Sequence, residues 1–211
     1  MIIIKEIWGE KIYYKFKYNM KKLTKKIRKV VLLPIRKIQY GNFGIKSDIL
    51  KPLMIEGKSN IFISNNTFIR EFARIEAITY YCGTKFTPRL SIGERVTIEQ
   101  GVHISCADCV SIGDNTTISS YVYISDLEHK HDLNTNVFDI DLDVNPVCIG
   151  SHVFIGTGAK ILKGVTIGNN SIIGANAVVN KDIPSNCIAV GVPAKVIKRY
   201  DISNKKWRSI K

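Results

Sequence analysis

No apolar run in this chain of 211 residues approaches the roughly 20 residues a bilayer-spanning helix needs. The opening Met1–Ile4 runs straight into Lys5 and Glu6, so it lacks the basic-then-apolar order of a secretory signal. The chain is therefore expected in the cytoplasm. Neither GxGxxG nor the phosphate-loop motif GxxxxGK[ST] occurs, which excludes the two common nucleotide cradles. The five cysteines are an odd number, which suits a reduced compartment. Cys106 and Cys109 form a lone CxxC with no second pair and no histidine cluster nearby. They read as small apolar filler rather than as a zinc site, and no metal is expected. Cys82, Cys148 and Cys187 carry no motif. Acidic side chains are scarce, 18 against 31 Lys and Arg, for a formal charge of +13.

That charge is concentrated at one end. Residues 1–40 carry twelve Lys/Arg against Glu6 and Glu10, or +10 of the total. Met20, Leu23, Ile27, Val30 and Val31 have helical spacing and stop before Pro34, with Trp8, Ile12 and Phe16 upstream. Such a basic amphipathic segment can lie on an anionic membrane surface, cover the end of the fold, or bind nucleic acid. Nucleic acid is the least expected of the three, and peripheral contact with the inner face of the membrane remains open.

The rest follows a different period. Ile149, Ile155, Ile161, Ile167, Ile173 and Val179 stand on a strict six-residue ladder. Small or β-branched residues follow four places later, at Val153, Ala159, Val165, Ser171, Ala177 and Ile183. Six fits neither a helix nor one long strand. It fits a chain that winds through short flat strands with a corner after each, three strands to a coil, with aliphatic stacks inside. Broken pieces of the ladder appear earlier, at Ile63–Ile69–Ile75, Ile92–Ile98–Ile104 and Ile112–Ile118–Ile124. The steps between the pieces are not multiples of six, so loops or bulges must absorb the difference. The largest break implies a loop of about twenty residues that leaves after Asp126 and rejoins near Pro146, and loops of that length are often functional.

The repeat resembles that of left-handed β-helix hexapeptide acyltransferases. The match is closest over residues 146–198, which end in VGVPAKVIK, and in the phrase IGDNTTISSYVYISDLEH at residues 112–129. Both are similar to segments of maltose/galactoside acetyltransferases and polysaccharide O-acetyltransferases. The expected class is thus all-β: a basic helical N-terminal segment over 1–40, a left-handed parallel β-helix over 41–192 with a loop at 125–148, and a short C-terminal helix within 193–211. The resemblance also implies a homotrimer using acetyl-CoA as co-substrate, with no metal.

Acetyl transfer from a thioester to a hydroxyl needs a general base, donors for the oxyanion, and a place to hold the thioester. Of the four histidines, His103 lies inside the repeat and His152 at a corner, which leaves His129 and His131 in the loop. The resemblance places the base at His129. Similar sequences often read D-H-x-H here, whereas this chain has Asp126-Leu127-Glu128-His129, so one wall of the acceptor pocket changes. Asp126 or Glu128 can hold the imidazole tautomer, with Asp126 favoured. No Ser or Cys pairs credibly with His129, so transfer is expected to be direct. An oxyanion donor is expected among the backbone N–H groups of Gly156-Thr157-Gly158. By resemblance, coenzyme A lies along Thr157, Ala175, Asn180, Lys181, Lys195 and Lys198, and Phe154 stands where relatives often carry Trp. Phe154, Glu128 and His131 are expected around the acceptor. That acceptor is expected to be a sugar or glycan of surface polysaccharide assembly. The alternatives are amino-sugar N-acetylation and a non-catalytic scaffold. A carbonic-anhydrase-like site would need three histidines around a metal, and the spacing offers no such trio.

Overall fold

The computed structural model describes residues 32–210, together with Lys15 and Tyr18. The remainder of the basic segment, with everything expected of it, lies outside the described residues. Residues 32–39 are helical, Pro34 included, so the helix does not stop before that proline as the spacing suggested. Proline's fixed φ is itself helical, and what it removes is one N–H bond. The residues up to Ile38 belong to a separate unit, and Gln39–Lys211 form the other. No helix among the described residues is long and apolar enough to cross a membrane.

The second unit is a three-sided parallel β-helix. Its regular part repeats every 18 residues. Ile149 pairs with Ile167, Ile155 with Ile173, and Ile161 with Val179, each pair on a different side. All six are buried, as are the small residues at the intervening corners, Val153, Ala159, Val165, Ser171 and Ala177. Three buried hydroxyls are held by carbonyls one coil away: Thr67 donates to Gly93 O (2.7 Å), Thr116 to Gly150 O (2.9 Å) and Ser171 to Pro184 O (2.9 Å). One corner column runs through Asn66, Arg95, Asn115, His152, Asn170 and Asn186, all at positive φ. Each of these N–H groups bonds a carbonyl of the coil before, so the column stacks vertically. Asparagine tolerates the left-handed region better than β-branched residues do. His152 is thus a corner residue, as its place after Gly150-Ser151 suggested.

The breaks in the ladder all open at the same corner. Ile63 pairs with Ile92, eleven residues more than one regular coil. Ile92 pairs with Ile112, two more, and Ile112 with Ile149, nineteen more. In each case the extra residues lie between the side holding Arg74–Ala77, His103–Cys106 and Tyr123–Ser125 and the side holding Arg89–Ile92, Cys109–Ile112 and Val147–Ile149. The first insert is a small hairpin pairing Tyr80–Tyr81 with Thr84–Lys85. The second is the bulge at Ala107-Asp108. The third, expected as a loop, is a hairpin that pairs Leu127–His129 with Leu142–Val144 and carries a 3-10 turn at Val137–Asp139.

The C-terminal segment is not helical. Lys195–Asp201 and Lys206–Ser209 form an antiparallel hairpin that continues the sheet beyond Cys187–Val190. The stretch has no 3.6-residue apolar period, and the open edge of the last strand offers unpaired N–H and C=O groups for another strand to take. Tyr200 packs on Trp207 across the hairpin, ring centroids 5.2 Å apart. The turn is held by Asp201, which accepts from the Asn204 N–H and side-chain amide.

Candidate active site

The first and third inserts rise beside one flat side of the prism and with it enclose a cavity of about 840 Å³. Its floor is that flat side. Strand residues just before and just after the buried ladder isoleucines point outward, so Arg74, His103 and Tyr123 stand in one column, and Glu76 and Ser105 in the next. Its walls come from the inserts: Tyr80 and Tyr81 from the first, Leu127, Glu128, His129, His131, Phe138 and Leu142 from the third.

His129 is half-buried at the inner end of its hairpin, opposite the buried Leu142. Its Nδ1 lies 3.3 Å from the Tyr81 hydroxyl, which also reaches the Phe138 carbonyl at 3.4 Å. The Tyr81 ring packs edge-on against the imidazole at 5.4 Å, and Phe138 does so at 5.8 Å. Loss of solvent around the Tyr81 phenol, together with Cys82 and Asp139 nearby, pushes its pKa up, so it stays protonated. A carbonyl only accepts. With the phenol donating to Phe138 O, Nδ1–H donates to the phenol oxygen, and Nε2 keeps its lone pair.

Asp126 is elsewhere. It is fully buried, and its two carboxylate oxygens accept from Ala107 N (2.8 Å) and Asp108 N (2.9 Å). The two-residue bulge leaves these N–H groups without a ladder partner, and Asp126 supplies one. The contact to His129 expected of Asp126 is therefore made by Tyr81 instead. Burial raises the Asp126 pKa against those backbone bonds. Glu128 lines the cavity and pairs with Lys163 at 3.3 Å, while Lys163 also bonds Asp143 across the hairpin. His131 is exposed at the rim. Phe154 lies on another side of the prism, paired with Thr117 and Ile172, and does not line this cavity.

None of the six positions expected to hold coenzyme A lines the cavity either. Thr157 and Ala175 are exposed at stacked corners one coil apart, where Asn176 N bonds Thr157 O at 2.9 Å. Gly156 lies so close to the coil above that a Cβ would meet Ala175 N at 2.6 Å. Asn180 and Lys181 are exposed at the next corner. A bulge at Ile188/Ala189 sets Lys195 opposite Val190 and Lys198 opposite Ile188. Two lysines three apart, which a plain strand would point to opposite faces, thus share one. Of the expected oxyanion donors, Gly156 N and Gly158 N are taken by Ile173 O and Ser120 O, leaving the Thr157 N–H without a backbone partner among the described residues.

One cluster escaped the sequence reading. The Glu76 carboxylate takes a two-point contact from Arg74 (2.6 and 2.9 Å) and a third from His103 Nε2 at 3.0 Å. Burial works against ionisation of Glu76, but the Arg74 and His103 bonds outweigh it and hold its pKa below the usual range. Ser105 Oγ lies 3.0 Å from the same Nε2. Since a carboxylate accepts, Nε2 carries the proton. His103 cannot then take a proton from Ser105, so the trio is no nucleophile relay. Aligning the ladder pieces would have revealed these neighbours, because they flank Ile75 and Ile104.

The family model for bacterial transferase hexapeptide (six repeats) matches residues 149–181. Galactoside O-acetyltransferase of Escherichia coli (strain K12) is 32% identical over 177 residues, 83% of this chain and 84% of that one. The chain belongs to the hexapeptide-repeat transferase family. A second member from Escherichia coli (strain K12), provisionally named a lipopolysaccharide biosynthesis O-acetyl transferase, WbbJ, is 38% identical over 122 residues. That match takes in 54% of this chain and 62% of WbbJ's length. Among solved hexapeptide-repeat structures, a galactoside acetyltransferase in complex with coenzyme A superposes with a TM-score of 0.53 at 27% identity, covering 82% of this chain and 71% of that one.

Proposed function

We propose that this acyltransferase moves an acetyl group from acetyl-CoA to a sugar hydroxyl, with His129 as general base and direct transfer in a ternary complex. The observation that carries the reading is the imidazole of His129 over a large cavity, its Nδ1 held by the Tyr81 phenol at 3.3 Å. Nε2 takes the hydroxyl proton as the sugar oxygen attacks, and later returns it to the departing sulfur. Tyr81 keeps the ring in that tautomer and stabilises the imidazolium. Acetyl-CoA supplies the activated acetyl group.

The residues present fit that co-substrate. Thr157 and Ala175 leave the backbone of two stacked corners bare, which suits a slender pantetheine arm. Lys195 and Lys198, turned to one face, suit its phosphates. The Thr157 N–H is the donor we assign to the oxyanion. These positions do not share the cavity of His129 within one chain, so the donor belongs to a neighbouring copy. A left-handed prism closing into a homotrimer meets that need. The names of the relatives, one a galactoside and one a lipopolysaccharide O-acetyltransferase, support a sugar hydroxyl in surface polysaccharide assembly over an amine. A screen of acetyl-CoA consumption over free sugars, oligosaccharides and nucleotide sugars tests the reading. Acceptor-dependent thiol release with an O-acetylated sugar product is expected; no acceptor-dependent release, or product only on amines, overturns it.

A further inference from the structure

The charge of the cavity differs from that of the chain. The whole chain is +13, yet three carboxylates, Glu56, Glu76 and Glu128, line the cavity. Among the described residues the lining holds no Lys, and Arg74 is its one Arg. The Arg74 guanidinium spends two donors on Glu76, whose side chain is only 12% exposed. Lys163, outside the lining, answers Glu128, which leaves Glu56 in surplus. Among the described residues the lining's one Arg or Lys, Arg74, is already paired with Glu76, so a phosphate or carboxylate there must compete with that carboxylate for it.

What the floor does offer suits hydroxyl groups. His103 Nε2–H points between Glu76 and Ser105, so the buried Ser105 hydroxyl is free to donate its own hydrogen. Glu76 Oε1, engaged by Arg74 Nη2 at 2.9 Å, has a lone pair left to accept. The ring of Tyr123, edge-on to His103 at 5.2 Å, and those of Tyr80 and Tyr81 give apolar faces for the C–H side of a pyranose. The array sits on rigid strands beneath His129, where an acceptor must lie.

We propose that Glu76, His103 and Ser105 form the acceptor subsite, that it takes an uncharged sugar, and that the Arg74–Glu76 pair makes it discriminate against acceptors bearing a carboxylate or phosphate. This rests on the function proposed above and deepens it.

Calorimetric binding of methyl galactopyranoside and of galacturonate, without acetyl-CoA, tests it. The wild-type chain is expected to prefer the neutral sugar by about tenfold or more. Glu76→Gln releases Arg74 and is expected to shrink that preference about tenfold, through a gain for galacturonate and a loss for the neutral sugar. The apparent KM for acetyl-CoA should stay within about twofold, which a merely structural defect would not respect. Should Glu76→Gln fail to fold, Ser105→Ala is expected to weaken the neutral sugar several-fold on its own. Equal or tighter binding of galacturonate by the wild type, absence of binding by either sugar, or an unchanged preference in folded Glu76→Gln would overturn the subsite. A chain that binds the neutral sugar selectively but transfers no acetyl group would sink the general function and leave the subsite standing.

Discussion

Two parts of one prism are built by one rule and put to different uses. From residue 147 to residue 179 each coil takes 18 residues, the last turn up to residue 190 takes 16, and the corners are short throughout. Between residues 61 and 149 the same isoleucine stacks continue, but one corner in three is opened by inserts of eleven, two and nineteen residues. The interior barely registers the interruption: Ile75, Ile104 and Ile124 are as buried as Ile161 and Val179. A parallel stack fixes each strand by its neighbours above and below, so a corner can lengthen without disturbing the ladder. The regular coils therefore supply rigidity, and the interrupted ones supply the walls of the cavity.

Substitutions should separate along that line. His129→Ala, in the longest insert, is expected to lower the transfer rate by about 10²–10⁴-fold while melting stays close to wild type. Acetyl-CoA turnover and a thermal scan on the same sample check both halves; retained turnover would remove His129 from the mechanism. Ile155→Ala, in the regular coils, should do the opposite. It empties part of a fully buried stack and should cost about 2–5 kcal/mol of stability, read by denaturant unfolding, with turnover per folded molecule little changed.

Asp126 sits where the two parts join and should blur the separation. Asp126→Ala orphans the buried Ala107 N–H, at about 1–3 kcal/mol, and the part-buried Asp108 N–H, which water can reach, at less. Its pH dependence has a definite sign. Burial raises the Asp126 pKa in the folded state. The stability it contributes is therefore present below the unfolded carboxyl's range and is lost as pH rises through the folded value. Unfolding measured from about pH 3 to about pH 7 should show the wild type losing stability relative to Asp126→Asn as pH rises. The opposite slope would mean that the backbone bonds outweigh burial.

The ladder made the coils legible because burial enforces it: a one-place slip would turn an isoleucine out to water. The same spacing located every insert, since each break at Ile75, Ile104 and Ile124 is a failure of the period. It could not say what the inserts do. The residues at 127–144 read as a loop because Leu127, Leu142 and Val144 are too few to make an alternating pattern, yet paired they make a hairpin. Asp126 looked like a partner for His129 because it is a carboxylate able to hold an imidazole tautomer; in space the bulge at Ala107-Asp108 claims it. Tyr81 gave no signal, because the contact of residues 48 apart depends on how two inserts lean together. The C-terminal hairpin was missed because its partner is an exposed strand edge, which no local pattern reports.

Tyr81 offers the finest test of the contrast, since its hydroxyl, unlike its ring, is placed to act through another side chain, His129. Tyr81→Phe keeps the ring against the imidazole and removes the oxygen between Nδ1 and the Phe138 carbonyl. The fold should not notice, because the hydroxyl stands among inserts and outside the stacked core. The base should: without an acceptor at Nδ1 the ring can populate the tautomer that protonates Nε2, which cannot take the sugar's proton. A fall of about three- to tenfold in kcat is expected, with the KM values for acetyl-CoA and sugar nearly constant and the pH–rate profile displaced. A rise in the KM for sugar at constant kcat would make the Tyr81 hydroxyl a contact for the sugar, and the orientation of His129 would then have to come from its own hairpin.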